Sequence, residues 1–172
     1  MVKKKKKYVS TRKVLKIPPE YFEAISYGSE IFPILYQFEN GLRLATHKHL
    51  TTCYGSNWWE EKLRTELSTI YEYVENQKNR KSYMPWLGDS SVTTPLPIHS
   101  ITLGQIEEVI KKYKSECIPT LFPTIEFFLG HMEIIKRVRN LFSHMYPCIS
   151  KHDIVVAKRE IKTLCDHLAT KI

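Results

Sequence analysis

The chain has 172 residues, 42% of them aliphatic or aromatic, a length that suits one domain with one buried core. No uncharged apolar run approaches the roughly 18 residues a spanning helix needs, so membrane insertion is not expected and the chain reads as soluble and cytoplasmic. The formal net charge is +8, and the eight cations of residues 1–16, with no acid among them, account for all of it.

Residues 1–17 form a tail in which Lys3, Lys4, Lys5, Lys6 and Lys7 stand in a row, joined by Arg12, Lys13 and Lys16. Such a run repels itself and is expected to stay disordered, and on meeting phosphates it gives salt-sensitive, sequence-independent affinity. Solubility is the competing use. No apolar segment follows of the kind a signal peptide needs. Beyond the tail, residues 18–172 read as one helical domain whose charges balance.

Pro18 and Pro19 predict a short helix with Tyr21, Phe22 and Ile25 at packing positions, ended by Gly28, which would lie as a lid on the bundle. A second helix is expected from about Ser29 to Tyr54, since Ile31, Leu35, Phe38, Leu42, Ala45 and His49 fall on one stripe, and Gly55 would end it. Its other face carries Glu39, Asn40 and Arg43. Glu39 and Arg43 are spaced as a helical ion pair. That pair is read either as a solvated salt bridge or as a functional set, in which Glu39 orients an arginine elsewhere and Arg43 contacts phosphate.

Asn57 followed by Glu60 resembles a capping box opening a helix to about Gln77, with Leu63, Leu67, Ile70 and Val74 buried and with Trp58 and Trp59 both in the core. Ser82 to Ser100 holds Pro85, Gly88, Pro95 and Pro97 and reads as a long loop. There Arg80, Lys81, Tyr83 and Trp86 could stack unpaired bases, or Trp86 could anchor the loop. Thr102 with Gln105 predicts a capped helix to about Cys117, with Ile106, Val109, Ile110 and Tyr113 inward. Pro123 would open the next helix. Ser150 with Asp153 caps the last one, whose Ile154, Ala157, Ile161, Leu164 and Leu168 face the core. Cys53, Cys117, Cys148 and Cys165 lack metal-type spacing, and the seven histidines form no ligand-type cluster. Buried, reduced thiols are expected, with no metal and no cofactor.

The segment from Thr124 to Tyr146 carries the chemistry. Phe127, Ile134, Val138, Leu141 and Met145 predict one apolar stripe, flanked by Arg137, Arg139, Asn140 and His144. Pro147 places the helix end near Met145, with His144 in the last turn. Asn140 and His144 are helical neighbours, whereas the five residues from Arg139 to His144 correspond to about 140° of rotation. One regular helix therefore does not bring Arg139 and His144 onto a single atom; a loosened end or a second subunit would. Arginine holds phosphate oxygens with a planar fork, and histidine moves protons near neutrality. Together they suit cleavage of RNA by its own 2′-hydroxyl.

RVRNLFSHMY at 137–146 resembles the Arg, polar residue and His signature of the HEPN superfamily. In the same order, ILYQFENGLRL at 34–44, YGSNWWEEKL at 54–63 and ITLGQIEEVI at 101–110 resemble the HEPN type attached to RNA-surveillance endoribonucleases, so that the likeness covers roughly residues 30–170. It implies an all-α bundle of four to five helices, homodimeric, with Arg and His of both subunits meeting at the interface. It also implies a metal-independent endoribonuclease of toxin–antitoxin, antiviral or RNA-processing type. On that reading Arg139 and His144 are catalytic and Asn140 orients them. Glu39 supports, while Arg43, Lys136, Arg137 and the lysines of the tail bind RNA. The alternative is a noncatalytic RNA- or nucleotide-binding dimer that supports a partner enzyme, and a protein antitoxin is a further expected partner.

Overall fold

The computed structural model describes residues 18–80, 96–144, 146 and 149–169. The basic tail, the loop from Lys81 to Pro95 with Tyr83 and Trp86, the side chain of Arg80, and Met145, Pro147 and Cys148 lie outside the described residues. Within them are seven α-helices and no strand, so the chain is all-α.

Helix α1 runs unbroken from Pro19 to Tyr54. Gly28 was expected to end a short helix, yet it lies inside this one, as does Pro33. The reason at Gly28 is tertiary: a Cβ there would stand 1.8 Å from Cε2 of Phe142. The missing side chain lets that ring lie against the helix backbone. The stripe Ile31, Leu35, Phe38, Leu42 and Ala45 is buried as expected, whereas His49 is half-buried. Tyr21 and Ile25, expected to pack, are 40% and 57% exposed. Gly55 stops the helix at φ 88°, a conformation that favours glycine.

The expected helix from Asn57 is broken into pieces. A π-helical turn, Trp59–Leu63, leads into α2, Arg64–Glu66; Leu67 leaves helical geometry at φ −139°, and α3 follows over Ser68–Arg80. Trp58 and Trp59 are nonetheless both core residues, meeting edge to face at 5.4 Å. A 3-10 turn, Pro97–Ser100, buries Ile98. Then α4, Leu103–Lys112, opens with the reciprocal Thr102–Gln105 box. It stops at Tyr113 rather than continuing, and α5, Lys114–Cys117, resumes one residue later.

Helix α6 spans Ile125–Ser143, capped by the Thr124 hydroxyl accepting from the Phe127 N–H. Its buried side is Phe128, Met132, Ile135 and Val138. The stripe read from sequence is turned slightly: Phe127, Ile134 and Leu141 are half-buried at its flank. Helix α7, Lys151–Leu168, is closed by the Ser150–Asp153 box and turns all five expected apolar residues inward. It packs along both α1 and α6, and α4 and α5 brace the other side of α1. Cys117 is buried, which pushes its thiol up to about 12, but Cys53 is exposed, against expectation. No described helix is long and apolar enough to cross a membrane.

Candidate functional site at the end of helix α6

The last turn of α6 stops where the sequence placed its polar cluster. Ser143 is its final residue, two residues earlier than expected, and His144 forms the C-cap, with its N–H donated to the Asn140 carbonyl at 3.0 Å. The Tyr146 N–H then returns to the Leu141 carbonyl at 3.0 Å. Asn140, His144 and Tyr146 are exposed, and the His144 and Tyr146 rings stand 6.0 Å apart. Unpaired carbonyls at a helix end attract cations, which suits a histidine there.

Arg139 leaves the same turn in another direction. Its Nε donates to Glu39 Oε1 on α1 at 3.4 Å, across 100 residues of sequence. Glu39 Oε2 accepts from Arg43 Nη2 at 3.0 Å. Arg43 also donates from Nε and Nη2 to the Ile101 carbonyl at 3.2 and 2.9 Å, and from Nη1 to Asn40 Oδ1 at 3.3 Å. Glu39 thus contacts both Arg139 and Arg43, whereas the functional reading of the α1 ion pair had Glu39 orienting an arginine elsewhere and Arg43 contacting phosphate. Arg43 belongs to the frame. With 11% of its side chain exposed and its fork spent on a carbonyl, an amide and a carboxylate, it is not presented to an incoming phosphate. One carboxylate between two guanidiniums leaves the trio at +1, and the arginine open to solvent is Arg139, one-third exposed.

The other expected RNA contacts are drawn to different helices. Lys136 Nζ lies 2.6 Å from Glu107 Oε2 on α4. Arg137, 62% exposed, reaches Asp153 on α7 at 3.4 Å. The Ser150 hydroxyl, followed by the Ser150 backbone N–H and the Arg137 charge, holds Asp153 below the usual carboxylate range. Lys3 to Lys7 fall outside the described residues. Among those described, no group of three or more His, Cys, Asp and Glu side chains converges to hold a metal.

Two cavities meet at Phe32, Phe142 and Ser143. The smaller, about 130 Å³, is walled by Phe32, Tyr36 and Phe142 and has Glu39 and Arg139 on its polar side. The larger is an open apolar groove of about 520 Å³, bounded by Tyr21, Ile25, Tyr146 and Ile149. Phe32 and Tyr36 of α1 went unread in the sequence, although the signal was present. Tyr21, Ile25, Phe32 and Tyr36 are spaced by four, seven and four, a second apolar stripe about 100° around the helix from the buried one.

No protein-family model, curated protein or solved structure matches this chain. The HEPN resemblance therefore rests on the four sequence blocks alone.

Proposed function

We propose that the chain is a metal-independent endoribonuclease whose chemistry lies at the C-terminal end of α6. The supporting observation is the Glu39–Arg139 contact, which fixes a part-exposed guanidinium at a pocket beside the turn that carries Asn140 and His144. In the reaction the RNA 2′-oxygen attacks the adjacent phosphorus while the bond to the 5′-oxygen breaks. A base takes the 2′-hydroxyl proton, an acid returns one to the leaving oxygen, and the products end in a 2′,3′-cyclic phosphate and a 5′-hydroxyl. Arg139 stabilises charge on the phosphoryl oxygens, His144 transfers a proton and Asn140 orients the pair.

A homodimer completes the site. Arg139 is drawn back onto α1 while His144 caps the helix in the open, an arrangement that suits Arg and His supplied by different subunits. The 520 Å³ apolar groove is the surface a second copy would cover. The basic tail adds electrostatic encounter with RNA, and the biological setting is a toxin–antitoxin, antiviral or RNA-processing system. A noncatalytic RNA- or nucleotide-binding module that supports a partner enzyme is the second reading; it draws on the same Glu39–Arg139 contact, since a guanidinium already paired can bind phosphate without turnover.

Incubating the full chain with end-labelled RNA in EDTA separates the two. Cleavage leaving 2′,3′-cyclic phosphate ends is the expected result, binding without cleavage would favour the module, and cleavage that stops on chelation would contradict the mechanism. Light scattering at micromolar concentration tests the shared site: a dimer is expected, and a monomer that still cleaves would remove it.

A further inference from the structure

Tyr36 is 64% exposed and Phe32 55%, an unusual display for two aromatic rings one helical turn apart with centroids 6.4 Å apart. Neither ring is stranded on a random face. Phe142 tilts against Phe32 at 6.0 Å from the end of α6, and the three rings wall the 130 Å³ pocket whose polar side is Arg139 on Glu39. Arg139 lines the pocket with a part-exposed guanidinium, so the pocket offers π-faces and a hydrogen-bonding cation together. A flat apolar ring bonded to an anion matches both features, and a nucleotide is such a ligand. An all-hydrocarbon occupant would leave Arg139 without a counter-charge beyond its share of Glu39.

We propose that Tyr36, with Phe32, forms a base-stacking subsite that seats one unpaired base of a single-stranded RNA next to a phosphate held by Arg139. The inference rests on the reading that Arg139 meets RNA phosphate, and it adds the substrate class: single strands, whose bases are free to stack, in preference to duplexes, whose bases are not. Every base has a π-face, so the subsite tolerates sequence. It adjoins the larger groove and shares Phe32 and Phe142 with it, but the groove's Ala24, Ile25 and Ile149 lining offers no charge and suits a second copy of the chain.

The test measures binding of the full chain by fluorescence anisotropy to two labelled 2′-O-methyl oligonucleotides of equal length, one carrying uracil throughout and one with abasic sites. Both carry the same phosphates, so the tail contributes equally, and neither can be cleaved by 2′-hydroxyl attack. The base-bearing strand is expected to bind about 10-fold tighter than the abasic one. Tyr36→Phe should keep that ratio, whereas Tyr36→Ala and Tyr36→Leu should bring it close to one. Tyr36→Leu matters because it keeps apolar area while removing the π-face. Equal affinity of the native chain for both strands, no binding of either, or a ratio untouched by Tyr36→Ala would overturn the subsite. So would a Tyr36→Ala variant that loses self-association while the ratio persists, since the ring would then serve a second copy. Base-dependent binding by a chain that cleaves no ordinary RNA keeps the subsite and removes the nuclease reading; cleavage with base-independent binding does the reverse.

Discussion

The two halves of α1 use apolar residues in opposite ways. Toward its C-terminus, Leu42, Ala45 and Leu50 are enclosed; the buried Thr46 and Thr51 hydroxyls have no partner among the described residues, but other polar groups there are paired. Trp58 Nε1 donates to His47 Nδ1 at 3.2 Å, Tyr54 donates to Glu116 at 2.5 Å, and His49 Nε2 meets the Glu116 carbonyl at 2.6 Å. Toward its N-terminus, Tyr21, Ile25, Phe32 and Tyr36 face solvent although they form a stripe as regular as the buried one. The first half is what folding needs, since burial there exceeds the entropy of ordering the chain. The second leaves surface that a monomer gains nothing by exposing, and that surface borders Arg139.

The sharpest contrast between the halves is energetic. Trp58→Ala should cost about 3–5 kcal/mol, because it empties a fully enclosed site, whereas Tyr36→Ala should stay within about 0.5 kcal/mol. Urea denaturation of both variants decides this, and comparable losses would erase the distinction. Gly28→Ala probes the contact between the exposed half and α6. Its new methyl group meets the Phe142 ring, so a loss of about 1–3 kcal/mol is expected, largely recovered when Phe142→Leu is added. Additive losses in that double variant would place the strain elsewhere. Ser150→Ala removes the hydroxyl that caps α7 and should lower stability by about 1 kcal/mol, read as a shift in urea midpoint at constant slope.

The smallest effect is one of pH. Burial first, and the neighbouring His99 second, lower the pKa of His47 below its usual 6.5; burial and then the Arg43 charge lower that of His99. A folded-state pKa below the unfolded value means that the unfolded chain takes up these protons first. The stabilisation is therefore complete above about 6.5 and is lost as pH falls below it. Protonating His47 at Nδ1 would also set two donors against each other at Trp58. The melting temperature should fall between pH 7.5 and 5.5, with a shallower slope for His47→Gln. A slope unchanged by that substitution would contradict the assignment.

Much of this fold was legible because its signals are local. The boxes at Thr102–Gln105 and Ser150–Asp153 and the glycine stop at Gly55 need only a few residues of context, and each is found as read. The buried stripes of α1 and α7 follow from periodicity alone. Gly28 was misread because its meaning depends on Phe142, more than 100 residues away, and sequence punctuation says nothing of that contact. The breaks at Leu67 and Tyr113 carry no Gly or Pro, so nothing local announces them. At the candidate site, Arg139, Asn140 and His144 were found through resemblance and side-chain chemistry. The Glu39–Arg139 contact was one of two open readings, and the role of Arg43 as frame depends on the Ile101 carbonyl, which no motif encodes. Tyr36 and Phe32 were missed because one apolar stripe had already satisfied the helix.

The open end of α6 either performs the chemistry or leaves the proposed reaction without a site. Single-turnover cleavage of labelled RNA in EDTA by Arg139→Ala and by His144→Ala, each checked for an unchanged melting temperature, measures it. Each variant is predicted to cleave about 10²-fold more slowly than the native chain with the same product ends; native rates in both variants would contradict the claim that this site carries the reaction.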